Sequence, residues 1–452
     1  MRAVSLLYPM ALIVIGSVIV LNALVPTAAH GLTEEASTPE QTTDVTTLFA
    51  ETLELPRLIQ VAVERSPKVR AAKAQWQVTV EQYPQVTALP DPMFMYGYYV
   101  RSVETRVGPQ RHRLSFSQSF PYPGTLDAAG AVVKKAIEIA RVKHEQVIRD
   151  LIVELKLSYH ELAYLQRAVE LTQQNHELVA SILTIATARY AEGKATLNDV
   201  LKAQSQLAQL EYDLVLLQEL QRVEHANITG ILSIPSTTTL GTTIPVTYEP
   251  LDISLADVEK QALSKRQELR IAELSIEKAT EGIALAELRT KPMLKLDLMS
   301  IETGEALMPD AVDSGKNPFT IGFGVTIPWS GLKNSSKVRE AEKNREVVTA
   351  NKHSLEDATR VALRKVYFRL ENARRLVELY ETTLIPQAGA AIEVAEVWHQ
   401  EGPKSIAGFL ETQSVWLNFN LARLRAIADY QQNVARLEQL VGGKIDDLRP
   451  AQ

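Results

Sequence analysis

The sequence predicts a mainly α-helical chain with a small β-hairpin part, assembled from one structural unit used twice. Three observations carry this: a collinear internal repeat, four segments of two-residue alternation, and two helical runs too long for a compact domain. The repeat comes first because it organises the rest. Residues 55–72 match residues 255–272 at an offset of 200, with Ala62 and Ala262, and Arg70 and Arg270, identical. Pro92 and Met93 match Pro292 and Met293 at the same offset. Phe116, Pro121 and Gly124 match Phe323, Pro328 and Gly331 at 207, and Glu192, Gly193, Leu201 and Gln204 match Glu401, Gly402, Leu410 and Gln413 at 209. Order is kept while the offset drifts only from 200 to 209, which duplication produces and chance does not.

In chain order, residues 1–30 read as a signal peptide. Arg2 precedes an apolar run from Met10 to Leu21, and Thr27, Ala28 and Ala29 supply the small residues of a cleavage site. An uncleaved membrane anchor is the alternative, and in either case the body of the chain is exported. No later window reaches the ~18 consecutive apolar residues of a transmembrane helix. Residues 31–52, rich in Thr and Glu, are expected to be a flexible N-terminal segment. The first repeat spans 53–232, with strands at about 92–101 and 112–121 and a long helix at about 124–190. A Ser/Thr/Pro/Gly-rich linker follows at 233–252. The second repeat spans 253–443, with strands at about 292–300 and 318–328 and a long helix at about 331–398, and residues 444–452 form a C-terminal tail.

The strand segments are the most informative. Phe319, Ile321, Phe323, Val325 and Ile327 alternate with Thr320, Gly322, Gly324 and Thr326, and Leu114, Phe116, Gln118 and Phe120 alternate with Ser115, Ser117 and Ser119. Period two with one greasy and one small or polar face is a strand signature. Residues 94–100 and 294–299 alternate likewise and fit as hairpin mates. Such strands suit either a soluble sandwich or a barrel wall between lipid and water. Strand length, small inner faces, the export signal and aromatics at strand ends (Tyr98, Tyr99, Tyr122, Trp329) favour the wall. Four strands cannot close a barrel alone, and open sheet edges are not tolerated in hydrocarbon, so several chains must pool their strands. The connections at 101–112 and 301–318 would face outward.

From Gly124 to Tyr190 no proline interrupts the helical pattern, and a span of 67 residues is roughly 100 Å of helix at 1.5 Å per residue. Leu151, Leu155, Leu162, Leu165 and Val169 form one apolar stripe; Val153, Leu157, Tyr164, Ala168 and Leu171 form another. A helix with two seams has a neighbour on each side. The second run contains Pro386, where the first has Glu177, and a kink is expected there.

Composition narrows the chemistry. The 452 residues are 46% apolar, carry 48 Lys and Arg against 54 Asp and Glu for a net charge of −6, and include no cysteine. Disulfides, thiolate metal sites, thiol nucleophiles and a cysteine-borne lipid anchor are thereby excluded. No run of five or more basic residues exists, so a nucleic-acid partner is not expected. No catalytic motif is present, and no cofactor or metal is expected. His144, His160 and His176 recur every sixteen residues, about 160° apart around a helix, and are expected at the surface.

These residues resemble the outer membrane efflux protein family, typified by TolC. The resemblance rests on Pro90 to Met93, Ser117 to Gly124, Arg189 to Gly193 leading to Asp199 and Leu201, Leu384 to Ala388, and Glu401 and Gly402 leading to Leu410 and Gln413. It implies a homotrimer in the outer membrane whose four strands per protomer make a trimeric 12-stranded transmembrane β-barrel, continued by a long-helix α-barrel into the periplasm. It also implies a periplasmic adaptor protein, an inner-membrane pump and outer-membrane lipid as partners, and a passive exit duct of a tripartite efflux or type I secretion system. By position, Asn198, Asp199, Lys404 and Glu411 would form a periplasmic gate. Arg189, Gly193 and Gly402 would mark the tip turns where an adaptor docks, and Tyr122 and Trp329 the membrane interface. The rival expectation is a soluble periplasmic coiled-coil adaptor or scaffold whose hairpins pack in a small sandwich.

Overall fold

The computed structural model describes residues 49–245, 248–401 and 406–445. The expected signal peptide, nearly all of the 31–52 segment, Gly402, Lys404 and most of the C-terminal tail lie outside the described residues.

The first repeat runs β1 (Thr52–Leu53), α1 (Leu55–Arg65), α2 (Pro67–Val80), α3 (Gln82–Thr87), β2 (Met93–Tyr98), β3 (Glu104–Thr105), β4 (Gly108–Phe120), α4 (Thr125–Ala191) and α5 (Leu197–Leu232). After β5 (Thr242–Thr243) the second runs α6 (Leu255–Lys265), α7 (Gln267–Leu288), β6 (Met293–Thr303), β7 (Phe319–Thr326), α8 (Gly331–Leu379), α9 (Ile385–Glu401) and α10 (Ile406–Val441). Helix starts follow local chemistry: Ser66 accepts from Val69 N ahead of Pro67, and Ser254 accepts from Asp257 N.

The strands lie in the order β2-β4-β6-β7, every neighbour antiparallel, with β3 a short flap on β4. The register sorts residues by chemistry. Phe94, Phe116, Leu298 and Ile321 stand side by side, as do Phe120, Leu294 and Val325. The opposite face aligns Met93, Ser117, Asp297 and Gly322, and then Ser119, Lys295 and Gly324. A one-residue slip in any strand would mix the faces. Gln118, the polar intruder on the apolar face, donates its amide to Pro90 O and Ser119 O at 2.7 and 3.0 Å.

β4 starts at Gly108, earlier than the alternation suggests, and β6 runs on to Thr303 because the two outward connections interlock. Gly304 N donates to Pro109 O and Gly315 N to Val107 O, both at 2.8 Å. Gly108 has φ 125°, and a Cβ there would fall 1.8 Å from Gly304 O.

Two expectations change. Within the 233–252 linker, residues 241–244 are docked on the first repeat. β5 pairs in parallel with β1, Gln166 of α4 donates to Gly241 O and accepts from Thr243 N, and Tyr159 donates to Leu53 O while accepting from Ile244 N. The same pairing fixes the last residues of the segment expected to be flexible. The second long helix is not one α-helix to Trp398: Tyr380–Leu384 is a π turn, where Ile385 N donates to Tyr380 O five residues back.

α4 packs against α2, α5, α7 and α10, so both predicted stripes meet neighbours. Leu151, Leu155, Leu162, Leu165, Val153 and Ala168 are buried. One apolar cluster joins Val258, Leu363, Leu370, Tyr430 and Leu437; a second, toward the hairpin turns, joins Val179, Ile182, Ala203, Leu210, Ile406 and Leu410.

Candidate functional site

Two parts of the protein carry candidate function: the sheet face and the hairpin turns. Among the described residues, no other element covers the apolar sheet face. Phe94, Tyr96, Ile321 and Val325 are exposed, and Phe323 is 84% exposed. In a soluble sandwich this face would be buried against a second sheet, so the soluble scaffold does not describe this molecule. On the opposite face, Lys295 and Asp297 of β6 pair at 3.1 Å among Ser115, Ser117, Ser119, Gly322, Gly324 and Thr326, with Met93, Met95 and Met299 beside them. Greasy outside and small or polar inside is the pattern of a barrel wall. Tyr122 (42% exposed) and Trp329 (89% exposed) sit where the strands hand over to the helices, at the border of the apolar band.

At the first hairpin turn, Gly193 takes φ 70° and closes α4 with paired bonds from Lys194 N to Arg189 O (2.8 Å) and Gly193 N to Tyr190 O (3.0 Å). Lys194 then pairs with Glu192 at 2.8 Å and holds its carboxyl below the usual range by hydrogen bonding. Arg189 is half-buried. α5 begins with a capping box: Thr196 accepts from Asp199 N, and Asp199 Oδ2 accepts from Thr196 N and Oγ1 at 3.1 and 2.7 Å.

Asp199 does more than cap its own helix. Its carboxylate is only 5% exposed, and Oδ1 accepts from Ala407 N, at the start of α10, at 3.0 Å. One carboxylate therefore ties together the N-termini of α5 and α10, where both helix dipoles favour negative charge. A few turns on, Gln413 Nε2 donates to Asn175 Oδ1 at 2.9 Å, joining α10 to α4 inside the apolar cluster. Asn198 and Glu411 are exposed, while Lys404 and Gly402 lie outside the described residues. The structure thus brings Asp199 into a buried tie between hairpins and leaves Asn198 and Glu411 facing solvent in the single protomer. Sequence reasoning missed Thr196 and Asn175. Thr196 was findable, because Thr-x-x-Asp ahead of an apolar run is a capping signature.

Midway along α4, ion pairs join the repeats. Arg149 grips Glu268 of α7 through two bonds of 2.7 and 3.0 Å, and Arg425 of α10 grips Glu161 at 2.7 and 2.9 Å. Lys156 pairs with Glu438. Burial pushes the Glu268 carboxyl up, but the Arg149 hydrogen bonds outweigh it and hold the group at about 2. His160 departs from the surface expectation. Burial, with Lys156 nearby, pushes it down to about 4, and Tyr159 packs edge-on against its ring. His144 stacks on Trp76, and His176 lies 3.6 Å from Glu211. Among the described residues no group of three or more His, Asp or Glu is placed to hold a metal ion.

A lipid-facing antiparallel wall with open edges, continuous with paired helical hairpins far longer than a membrane is thick, defines the protomer of an outer-membrane channel. The family model described as outer membrane efflux protein matches residues 58–233 and 258–443, one match to each repeat, and the chain belongs to that family. It is similar to the pyoverdine export outer membrane protein OpmQ of Pseudomonas putida, 20% identical over 337 residues that cover 73% of this chain and 70% of that protein. Its fold is similar to the outer membrane protein VceC of Vibrio cholerae, with TM-score 0.70, 17% identity and coverage of 86% of this chain and 96% of that one. It is also similar to the MtrE outer membrane channel of Neisseria gonorrhoeae in its open state, with TM-score 0.69, 14% identity and coverage of 86% and 89%. The protein is an outer-membrane efflux channel and not an enzyme.

Proposed function

We propose that three copies close their sheets into one twelve-stranded barrel, four strands from each, and that this homotrimer is the passive exit duct of a tripartite efflux or type I secretion system. A periplasmic adaptor docks at the tip turns around Arg189, Gly193 and Gly402, and an inner-membrane pump supplies the energy. The observation that carries this reading is the sheet itself. Its two outer strands, β2 and β7, run in opposite directions, and among the described residues both lack a partner on one side. The β7 of one copy therefore meets the β2 of the next antiparallel, and a head-to-tail ring satisfies every edge.

The gate is proposed at the tie between hairpins. Asp199 holds the α5 and α10 starts together, Lys404 supplies the basic partner, and Asn198 and Glu411 face the lumen. Opening is a population shift in which the hairpins separate and Ala407 N loses its acceptor. The test is single-channel conductance of the purified protein in a planar bilayer. A detergent-extracted trimer with low conductance that rises in Asp199→Ala is the expected result. Release of a soluble monomer by osmotic shock removes the duct, and identical conductance in the variant removes the gate.

A further inference from the structure

The sheet ends on its helical side in a cleft of about 720 Å³ that the export function leaves unassigned, bounded by the end of α7, the start of β6, the end of β7 and the first turns of α8. Arg289 and Lys291, at the α7–β6 junction, and Lys333 and Lys337, on α8, line it, and no Asp or Glu does. All four cations are exposed, and no ion pair engages any of them among the described residues. What sets these four apart is that they converge on one cleft whose described lining carries no acidic residue. In a chain of net charge −6, four cations around one cleft make a locally basic surface whose summed potential favours an anion. Lys333 and Lys337 stand one helical turn apart on the same face, where like charges repel unless an anion lies between them.

The position identifies the anion. Tyr122 and Trp329 line the same cleft, and Trp329 follows Ile327, the last apolar residue in the alternation of β7. Aromatic rings collect at the level of lipid headgroups, and unpaired Lys and Arg beside them meet phosphate there. A cleft of this size holds a headgroup.

We propose that the cleft binds the phosphate-bearing headgroup of an anionic phospholipid of the periplasmic leaflet, one in each protomer. This rests on the proposed insertion of the sheet in the membrane. The site works as an anchor: Lys333 and Lys337 hold the phosphate from α8, Arg289 and Lys291 from the α7–β6 junction, and the lipid clamps the level at which barrel turns into tube.

The experiment is native mass spectrometry of the detergent-extracted full-length protein with phosphatidylglycerol, with phosphatidylcholine of the same acyl chains, or with inorganic phosphate alone. Phosphatidylglycerol should be retained about tenfold better than phosphatidylcholine, and Lys333→Gln with Lys337→Gln should abolish the preference, as two lost charge contacts predict. Equal retention of the two lipids, or a preference that survives the double substitution, overturns the proposal. Inorganic phosphate binding as well as phosphatidylglycerol makes the cleft a free-anion site and overturns the lipid source. Planar-bilayer conductance of the same preparation separates the two layers of inference. A conducting channel without lipid preference removes the headgroup site alone, whereas a protein that never inserts removes the membrane placement beneath it.

Discussion

α4 and α8 hold equivalent places in the two repeats, and the chain buries them unequally. From Ala129 to Ala168, within the stretch equivalent to α8, α4 has eleven buried residues, whereas α8 has five, all between Thr359 and Val377. The stretch of α8 from Gly331 to Glu356 contributes nothing to the core of the protomer, while Leu332, Val347 and Phe368 stay exposed on the same helix. A duplicated unit would keep both helices equivalent if each only served its own protomer. The asymmetry makes α4 the internal pillar and leaves the flank of α8 uncovered among the described residues, which is what the proposed trimer requires.

Leu162→Ala should produce the largest effect that sharpens this contrast. Leu162 is fully buried on α4, and truncation leaves a cavity costing about 3–4 kcal/mol. Phe368→Ala on α8, 66% exposed, should leave protomer stability nearly unchanged and weaken association instead. Thermal unfolding by circular dichroism, paired with trimer retention on a native gel, reads both. An equal loss of protomer stability from the two substitutions would make the helices equivalent and sink the comparison.

Next in size is Glu177→Pro. Glu177 is exposed on α4 and its side chain accepts only an exposed bond from Gln173 at 3.0 Å, so the change acts mainly through the backbone: an interior amide is lost and the ring clashes with the preceding turn, for about 3 kcal/mol. The apolar cluster around Val179 and Ile182 stands directly beside it. Detergent-resistant trimer yield should fall steeply, and a variant as stable as the parent would show that α4 bends as freely as its counterpart.

The ion pairs of α4 predict a smaller, pH-dependent effect. Glu268 is held at about 2 against an ordinary 4.5, so its stabilisation is present above about 4.5 and is lost as pH falls through about 2. Arg149→Met leaves the partly buried Glu268 carboxylate with Arg266 as its remaining cation, at 3.1 Å, and should cost about 1–2 kcal/mol at neutral pH. The gap between variant and parent should close as the pH drops from 4.5 toward 2. A gap independent of pH would mean that Arg149 acts by packing alone.

The amino-acid sequence displayed some of this directly. The duplication, the alternating strands and the hairpin mates were legible because period two and period 3.6 are written in side chains. Pairing of β4 with β6, which joins the repeats into one sheet, is a long-range choice that periodicity does not encode. Asp199 was legible as a tip residue, but its bond to Ala407 N spans 208 positions, and its burial follows from packing. The cations of the cleft escaped notice because Arg289 and Lys337 are distant in sequence, and a search for basic runs sees neighbours only in the chain. His160 was misjudged for a related reason: helical phase separates it from His144 and His176, but not from the neighbours that cover it.

Pro386 carries the smallest expected effect and the most specific test of how the second helix diverged. The repeat offset is 207 at Gly124 and Gly331 but 209 at Glu192 and Glu401, so the second helical run is longer by two residues. The π turn at Tyr380–Leu384 lies within that run, immediately before the proline. A π turn widens the helix locally to take in extra residues, and the missing Pro386 amide falls where the ladder is already interrupted. Pro386→Ala should therefore change stability by less than about 1 kcal/mol, far from the roughly 3 kcal/mol that a proline costs inside a regular helix. If the alanine variant gains the full amount, the proline strains an otherwise regular helix and the extra residues are absorbed elsewhere. If it gains almost nothing, the π turn belongs to the inserted length rather than to the proline, and Pro386 occupies a position that the insertion had already made safe.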